Sequence, residues 1–213
     1  MKLFGYWRSS ATYRVRIALN LKDLDYTYSP VNLLKGEQKG DSYLAINPLG
    51  VVPSLVTADG DIINQSLAIM EYLETAHPTT SIIPADPIEC ARMRAIAQSL
   101  ASEAQPFGNL GVQVYLRQTL KLDDAAITRW LDKFPGSAMR AIEKMVEKYG
   151  GDFCIGNKPS IADACLVPQI YANERFNVDM SGCPKLIAIA ERCRELPAFK
   201  KAHPNNQPDK PTS

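Results

Sequence analysis

The sequence predicts a small α/β domain followed by an all-helical domain, and three observations carry that prediction. Short strand-like apolar runs alternate with helical patterns only in the first third of the chain. The dipeptide Asp59-Gly60 separates two such runs, as in a β-hairpin. From about residue 87 onward only helical patterns occur. The 213 residues suffice for two small domains, and we place the boundary in the proline-rich stretch 78–87, giving domains 1–82 and 87–213.

The first domain opens with a βαβ pattern. Lys2–Tyr6 has the pattern of a strand, and Ser9-Ser10 offers the N-cap of a helix over Thr12–Lys22, whose apolar stripe is broken only by Lys22. Tyr26–Val31 has the pattern of a second strand. Two strands joined by a helix predict a parallel pair with a right-handed crossover.

A hairpin and a closing helix follow. Pro53–Thr57 and Asp61–Asn64 are predicted strands joined at Asp59-Gly60, where both turn residues tolerate positive φ. A short helix precedes them, and Ser66–Thr75 is predicted to be a helix with an apolar face. The order strand, helix, strand, short helix, strand, strand, helix suits a small mixed sheet with helices packed on it.

The second domain is predicted to be entirely helical. Its predicted helices are Glu89–Glu103, Asn109–Leu120, Asp123–Lys133, Ser137–Tyr149, Ile161–Ala172 and Lys185–Leu196. Ser160 and Asp163 have the spacing of a capping box, which is a structural feature. The tail His203–Ser213 has three prolines and no apolar anchor, so we expect a surface extension.

Composition excludes several classes of function. The chain is 46% hydrophobic and 22% charged with a net charge of +1, which argues against nucleic acid or a membrane surface as the main partner. No stretch approaches the roughly 18 apolar residues of a membrane span, and the N-terminus has no signal-peptide pattern, so we expect a cytoplasmic protein. The five cysteines are scattered and the two histidines lie far apart, which predicts neither a disulfide framework nor a metal site.

The turn between the first strand and the first helix is the first candidate site. The segment Arg8-Ser9-Ser10-Ala11-Thr12-Tyr13-Arg14 places hydroxyl groups where free backbone N–H groups and the positive end of the helix dipole meet. An anion is stabilised there, and a serine hydroxyl donating to sulfur would favour a thiolate over a thiol. The alternative is that Ser9 or Ser10 only caps the helix.

Two further features lie in the same domain. Proline at the start of a strand is tolerated in Val52-Pro53, and a cis bond there would turn the backbone groups of Val52 outward toward a peptide-like ligand. Gln65-Ser66 stands where the closing helix begins. Ser66 either caps that helix or shares its terminal amides with a ligand carboxylate.

The order and spacing of these features resemble the glutathione S-transferase superfamily, with its thioredoxin-like first domain and helical second domain. The segment Ser9–Leu19 resembles the signature of the zeta class, the maleylacetoacetate isomerases. The resemblance extends over essentially the whole chain, through Asn47-Pro48, Val52-Pro53, Gln65–Ile69, Gln105-Pro106, Asn109-Leu110, Ala162-Asp163, Leu166–Gln169, Asn173–Phe176, His203-Pro204 and Gln207-Pro208-Asp209.

The resemblance implies a set of glutathione contacts. Ser9 is implied to hydrogen-bond the glutathione sulfur, with Ser10 beside it. Val52 is implied to pair through its backbone with the cysteinyl part, and Gln65 and Ser66 to hold the γ-glutamyl end. The other implied contacts are Ala11, Thr12, Tyr13, Arg14, Gln38 at the glycyl end, and Gln105, Asn109, Leu110 and Gly111 from the helical domain.

The implied substrate is a small dicarboxylate. Arg8 and Arg175 are the cations expected to meet its carboxylates, because a planar guanidinium binds a carboxylate through two hydrogen bonds. Ser9, Ser10 and Arg175 are thus the implied catalytic residues. Many zeta-class members have a cysteine where this chain has Ala11, so a reaction that depends on that thiol is not implied.

The activity that the resemblance implies is isomerisation of 4-maleylacetoacetate to 4-fumarylacetoacetate in tyrosine and phenylalanine breakdown, by a homodimer. The glutathione thiolate adds to the cis double bond, the resulting single bond rotates, and elimination leaves the trans isomer. Glutathione is therefore a cofactor that is not consumed.

Three alternatives stay open. The same reaction on maleylpyruvate is close, but bacterial maleylpyruvate isomerases carry arginines in the stretch equivalent to Asn109-Leu110-Gly111, which has none here. Conjugation or dehalogenation of small α-halo acids is the second. The third is a non-catalytic binding protein of this fold, which would need none of Ser9, Ser66 and Arg175.

Overall fold

The computed structural model describes residues 1–211 and divides into two compact units. The first unit contains Met1–Ile82 together with the chain from Glu195 onward, and the second contains Ile83–Arg194. The predicted ranges assigned everything after residue 87 to the helical domain. The structure differs in placing the residues from Glu195 onward with the first unit.

The first unit is built on a four-stranded mixed sheet with strand order β2-β1-β3-β4. β1 pairs with β2 in parallel and β3 pairs antiparallel with β4, as the βαβ and hairpin patterns predict, and β1 also pairs antiparallel with β3. Its elements are β1 (Lys2–Gly5), α1 (Ser10–Leu21), β2 (Thr27–Pro30), α2 (Asp41–Leu44), β3 (Ser54–Val56), β4 (Ile62–Asn64) and α3 (Ser66–Ala76). The turn at Asp59-Gly60 closes the hairpin, with Gly60 at φ 93°, a value that glycine adopts without a steric cost.

Helix α1 carries charged residues into the interior of this unit. Arg14 and Arg16 are 2% and 0% exposed, between apolar neighbours such as Val15 and Ile17 that are fully buried. Buried charges require partners, since desolvation without compensation is costly. The helix ends beside Lys22, whose Nζ contacts Glu74 Oε2 of α3 at 2.8 Å.

The C-terminal segment, the described residues from Glu195 to 211, packs on α1. It contains α10 (Pro197–Ala202), which the sequence patterns did not predict, and Phe199 and Ala202 are 1% and 0% exposed. Arg16 Nε donates to the Ala202 carbonyl at 3.0 Å, and Asn20 Nδ2 donates to the Ala198 carbonyl at 2.9 Å. These contacts explain why the segment belongs to the first unit. The last two residues of the predicted surface tail, 212 and 213, lie outside the described part of the chain.

The second unit is helical, as predicted. Its helices are α4 (Pro87–Ser99), α5 (Leu110–Val114), α6 (Asp124–Leu131), α7 (Ser137–Tyr149) and α8 (Ile161–Arg175), and α9 (Pro184–Glu195) ends at its boundary. Three predicted helices turn out to finish in wider π-helical turns, over Leu100–Ala104, Tyr115–Thr119 and Asp132–Gly136. The capping box of α8 is confirmed: Asp163 Oδ2 accepts from the Ser160 N–H and hydroxyl, both at 2.8 Å.

Among residues 1–211, no helix is long and apolar enough to cross a membrane. The same residues contain no cluster of side chains suited to holding a metal ion.

Candidate functional site

The N-terminus of α1 is formed by Ser9, which occupies the N-cap position. Its Oγ accepts a hydrogen bond from the Thr12 N–H at 3.2 Å, and its own N–H donates to the Tyr6 carbonyl at 3.0 Å. A hydroxyl has one hydrogen to donate and two lone pairs, so accepting from Thr12 leaves the hydrogen of Ser9 available. The two sequence hypotheses for this serine, helix cap and sulfur ligand, are therefore compatible.

The predicted run from Ser9 to Arg14 divides into two halves. Ser9, Ser10 and Ala11 are partly exposed at the start of the helix, whereas Thr12, Tyr13 and Arg14 are buried. The first three residues can meet a ligand directly. Of the last three, Thr12 supports the turn by donating its N–H to Ser9, and Arg14 donates to Ser66.

The N-terminus of α3 lies in the same unit and is linked to α1. Gln65 is the N-cap residue, at φ 72°, and no side-chain hydrogen bond caps the helix. Ser66 is therefore the first helical residue and not the cap, and its Oγ accepts from Arg14 NH1 at 3.3 Å. A non-glycine residue with positive φ is strained by about 1–3 kcal/mol, and such residues cluster at ligand sites.

Two other predicted residues of this unit come from the loops around α2 and β3. The Val52–Pro53 peptide bond is cis, and Val52 is 7% exposed just before β3. Gln38 donates through Nε2 to the Leu33 carbonyl at 3.5 Å. Its Oε1 is buried and has no hydrogen-bond partner among the described residues, so it can accept from a donor on a ligand.

The first unit thus offers features that fit a tripeptide with a thiol and a carboxylate. The helix dipoles favour negative charge at the starts of α1 and α3. Ser9 supplies a hydroxyl at one, and Ser66 with Arg14 supplies a hydroxyl and a guanidinium at the other. Arg8, partly exposed, lies with its guanidinium carbon 5.2 Å from the centre of the Trp7 ring.

In the second unit, the predicted contacts surround the start of α5. Asn109 is its N-cap, with Oδ1 accepting from the Val112 N–H at 2.9 Å, and Leu110 and Gly111 are exposed on its first turn. Gln105 begins a 3₁₀ turn just before it and is partly exposed. A Cβ placed on Gly108 of that turn would lie 3.9 Å from the Phe176 side chain.

That contact brings the turn close to the second predicted cation. Arg175 is the last residue of α8, exposed, with its guanidinium carbon 5.0 Å from the centre of the Phe176 ring. The carboxylate of the adjacent Glu174 is paired with Arg194 at 2.9 Å. Asp179 accepts from the Ser181 N–H at 2.9 Å.

Sequence reasoning missed one polar residue in this region. Gln113 on α5 is 7% exposed, and its Nε2 is buried with no hydrogen-bond partner among residues 1–211. It follows Asn109 by one helical turn. A glutamine at that spacing from the predicted contacts is a signal that could have drawn attention to it.

Comparisons with known proteins point to one family. Residues 8–76 match the family model described as glutathione S-transferase, N-terminal domain. The maleylacetoacetate isomerase of Pseudomonas aeruginosa is 41% identical over 215 residues, covering 100% of each chain.

Two solved structures match nearly the full length. The holo form of maleyl pyruvate isomerase, described as a bacterial zeta-class glutathione S-transferase, has a TM-score of 0.94 at 38% identity and covers 99% of this chain and 100% of its own. A maleylacetoacetate isomerase from Methylobacterium extorquens AM1, with bound malonate and GSH, has a TM-score of 0.93 at 34% identity and covers 100% of both chains. The chain therefore belongs to the zeta-class glutathione S-transferase family, together with the maleylacetoacetate isomerases.

Proposed function

We propose that this protein is a glutathione-dependent cis–trans isomerase that converts 4-maleylacetoacetate to 4-fumarylacetoacetate in tyrosine and phenylalanine breakdown. The observation that carries the proposal is the hydroxyl of Ser9 at the N-terminus of α1, with its hydrogen available to a thiolate. The 41% identity to a maleylacetoacetate isomerase over the full chain supports the substrate.

Glutathione is the cofactor, held by residues of the first unit. Ser9 and Ser10 meet the sulfur, Val52 the cysteinyl backbone, Gln65 and Ser66 the γ-glutamyl end, and Gln38 the glycyl end. Bound glutathione supplies a thiolate that adds to the cis double bond and leaves after the bond has rotated. The helical domain from residue 87 onward binds the substrate, and its Gln105, Asn109, Leu110 and Gly111 add cofactor contacts.

Ser9 contributes by favouring the ionised form of the thiol. A hydroxyl that donates to sulfur stabilises the thiolate, and the dipole of α1 adds to this effect over its first turn. The thiolate is the nucleophile, so lowering the thiol pKa raises the fraction of reactive cofactor at neutral pH.

Arg8 and Arg175 contribute by holding the two carboxylates of the substrate. A guanidinium forms paired hydrogen bonds with a carboxylate, which fixes the diacid while its central bond rotates. Cations near the reacting carbons also stabilise the negative charge that develops on the neighbouring carbonyl oxygen.

A second candidate substrate is maleylpyruvate. The structural similarity to the solved maleyl pyruvate isomerase, at a TM-score of 0.94, favours it. The absence of arginine from Asn109-Leu110-Gly111 favours maleylacetoacetate.

The deciding experiment is an assay of the purified protein with each maleyl diacid, with and without glutathione. We expect turnover of maleylacetoacetate that requires glutathione without consuming it, and a lower kcat/KM for maleylpyruvate. A higher kcat/KM for maleylpyruvate would transfer the assignment to the second candidate. Turnover of α-halo acids alone, with glutathione consumed, would make the protein a transferase or dehalogenase.

We also propose a cytoplasmic homodimer. The five cysteines are free thiols, four of them buried, which suits a reducing compartment. Exposed apolar side chains support a subunit interface: Ile88 at the start of α4 is 57% exposed, and Val51 and Ile62 of the α/β unit are each 46% exposed.

A further inference from the structure

The loop that leads to Ser9 is fixed at Trp7 through both backbone polar groups. The Trp7 N–H donates to Asp209 Oδ2 at 2.8 Å, and the Trp7 carbonyl accepts from Arg16 NH2 at 2.9 Å. Trp7 is two residues before Ser9, and Asp209 is 202 positions further along the chain. The conformation of this loop therefore depends on a residue of the C-terminal segment.

Arg16 joins that segment to the loop. Its Nε donates to the Ala202 carbonyl at 3.0 Å while NH2 donates to Trp7, and the side chain is fully buried. Burial lowers the pKa of Arg16, and the nearby Tyr28, Tyr26, Tyr13 and Asp209 act in the opposite direction. One guanidinium thus holds both α10 and the loop.

Asp209 is bound from a second side by Tyr28, whose hydroxyl donates to Oδ2 at 3.2 Å. Burial raises the pKa of Tyr28, and Asp209 raises it further, so the tyrosine remains a neutral donor. Oδ1 of Asp209 and NH1 of Arg16 are buried without hydrogen-bond partners among residues 1–211. Buried charged groups that keep unsatisfied atoms carry a desolvation cost, which favours a positioning role for them over a contribution to stability.

We propose that Asp209 is a positioning residue for the thiolate site, and that the C-terminal segment clamps the loop Tyr6–Ser9 in the geometry that presents the Ser9 hydroxyl. The clamp itself is a property of the protein without cofactor. Its effect on the thiolate rests on the proposed function, in which Ser9 meets the sulfur.

The first test measures amide hydrogen exchange in the protein without glutathione. Asp209→Ala should accelerate exchange over residues 6–12 by about ten- to a hundredfold, as expected for loss of a hydrogen bond to a charged group. The matched control is Gln207→Ala, since Gln207 donates only within the segment, to the Lys201 and His203 carbonyls, both at 3.0 Å. Exchange over residues 6–12 should be unchanged in the control.

The second test measures ionisation of bound glutathione from the ultraviolet absorbance of the thiolate. Asp209→Ala should raise the pKa of the bound thiol by about half to one unit and lower kcat more than it weakens glutathione binding. Gln207→Ala should do neither. If wild type bound no glutathione, the proposed function would fail, while the exchange measurement would still test the clamp.

Two results would overturn the proposal. One is unchanged exchange over residues 6–12 in Asp209→Ala. The other is acceleration spread evenly over the sheet and α1, which would give Asp209 a role in the fold only.

If Asp209→Ala cannot be purified, Asp209→Asn takes its place. Weakening the acceptor should then accelerate exchange at the Trp7 amide, and an unchanged rate there would equally reject the clamp.

Discussion

In the proposed function the hydroxyl group of Ser9 has two roles, one as an acceptor and one as a donor. As an acceptor it receives the Thr12 N–H and stabilises α1, and as a donor it remains available to a ligand. Its substitution should therefore affect stability and catalysis by different amounts. Ser10 is the first residue inside the helix and not its cap.

We expect Ser9→Ala to lower kcat/KM by about one to two orders of magnitude or more, because a hydrogen bond to a charged sulfur contributes roughly 1.5–3 kcal/mol. Glutathione affinity should stay largely intact. Loss of the cap should also reduce the free energy of unfolding by about 1 kcal/mol. Steady-state kinetics, calorimetric binding and urea unfolding measure the three effects. Ser9→Thr, which retains a hydroxyl, is the control. A more damaging Ser10→Ala would contradict the assignment.

Arg175→Ala should raise the substrate KM much more than the glutathione Kd, with kcat/KM reduced about thirtyfold, because a charge-assisted hydrogen bond is lost. Arg175→Lys should recover only part of this loss, since an ammonium cannot bind a carboxylate in the bidentate manner. Arg194→Ala is a matched control, because Arg194 pairs with Glu174 beside it. Equal losses on the diacid and its methyl ester would assign Arg175 to the fold.

At the scale of elements, local sequence patterns were sufficient to predict several features of the fold. The βαβ unit, the hairpin at Asp59-Gly60 and the capping box at Ser160 and Asp163 each depend on residues close together in the chain. Helix α10 was missed because its stability comes from distant contacts with Arg16 and Asn20. The positive φ of Gln65 has no local sequence signal either.

Among the site residues, local reasoning located the start of α1 and the start of α3. It did not reveal that Arg14 bonds Ser66, since that contact joins positions 52 residues apart. It also assigned Ser66 a possible capping role that Gln65 in fact occupies. The roles assigned to the site residues themselves remain predictions.

The ion pair between the end of α1 and α3 should make stability depend on pH. Burial alone would raise the pKa of Glu74, but hydrogen bonds from Lys22, Ser81 and the Ile82 N–H lower it below its usual 4.5. The resulting stabilisation is present above the unfolded pKa and is lost as the pH falls through the folded one. Glu74→Gln should cost about 1–3 kcal/mol at neutral pH and flatten this decline.

Urea unfolding between neutral and acidic pH measures both effects. The wild-type and Glu74→Gln stability curves should converge in acid. Asp25→Asn, which changes an exposed carboxylate of the same unit, should leave the pH dependence as it is. Parallel curves at all pH values would show that Glu74 is not the group responsible.

At the scale of the whole molecule, the proposed dimer gives a direct prediction. Sedimentation at micromolar concentration should give twice the chain mass of 23.5 kDa. Ile88→Lys should shift the population toward monomer, because a charge placed in an apolar interface must be desolvated. Leu120 is 50% exposed, similar to Ile88, but is not among the side chains proposed for the interface, so Leu120→Lys should remain dimeric. A single 23.5 kDa species in wild type would refute the dimer.

The interrupted first unit also sets an order of events during synthesis. Its sheet lies within residues 1–82, whereas α10 follows residue 195, after all of the second unit. A ribosome adding about 5–20 residues per second needs about 5–20 seconds to translate residues 83–194. Throughout that interval Arg16 lacks the Ala202 carbonyl that it binds in the finished fold. The unit that is made first is therefore completed last, and Arg16 Nε gains its carbonyl partner only after α10 has left the ribosome.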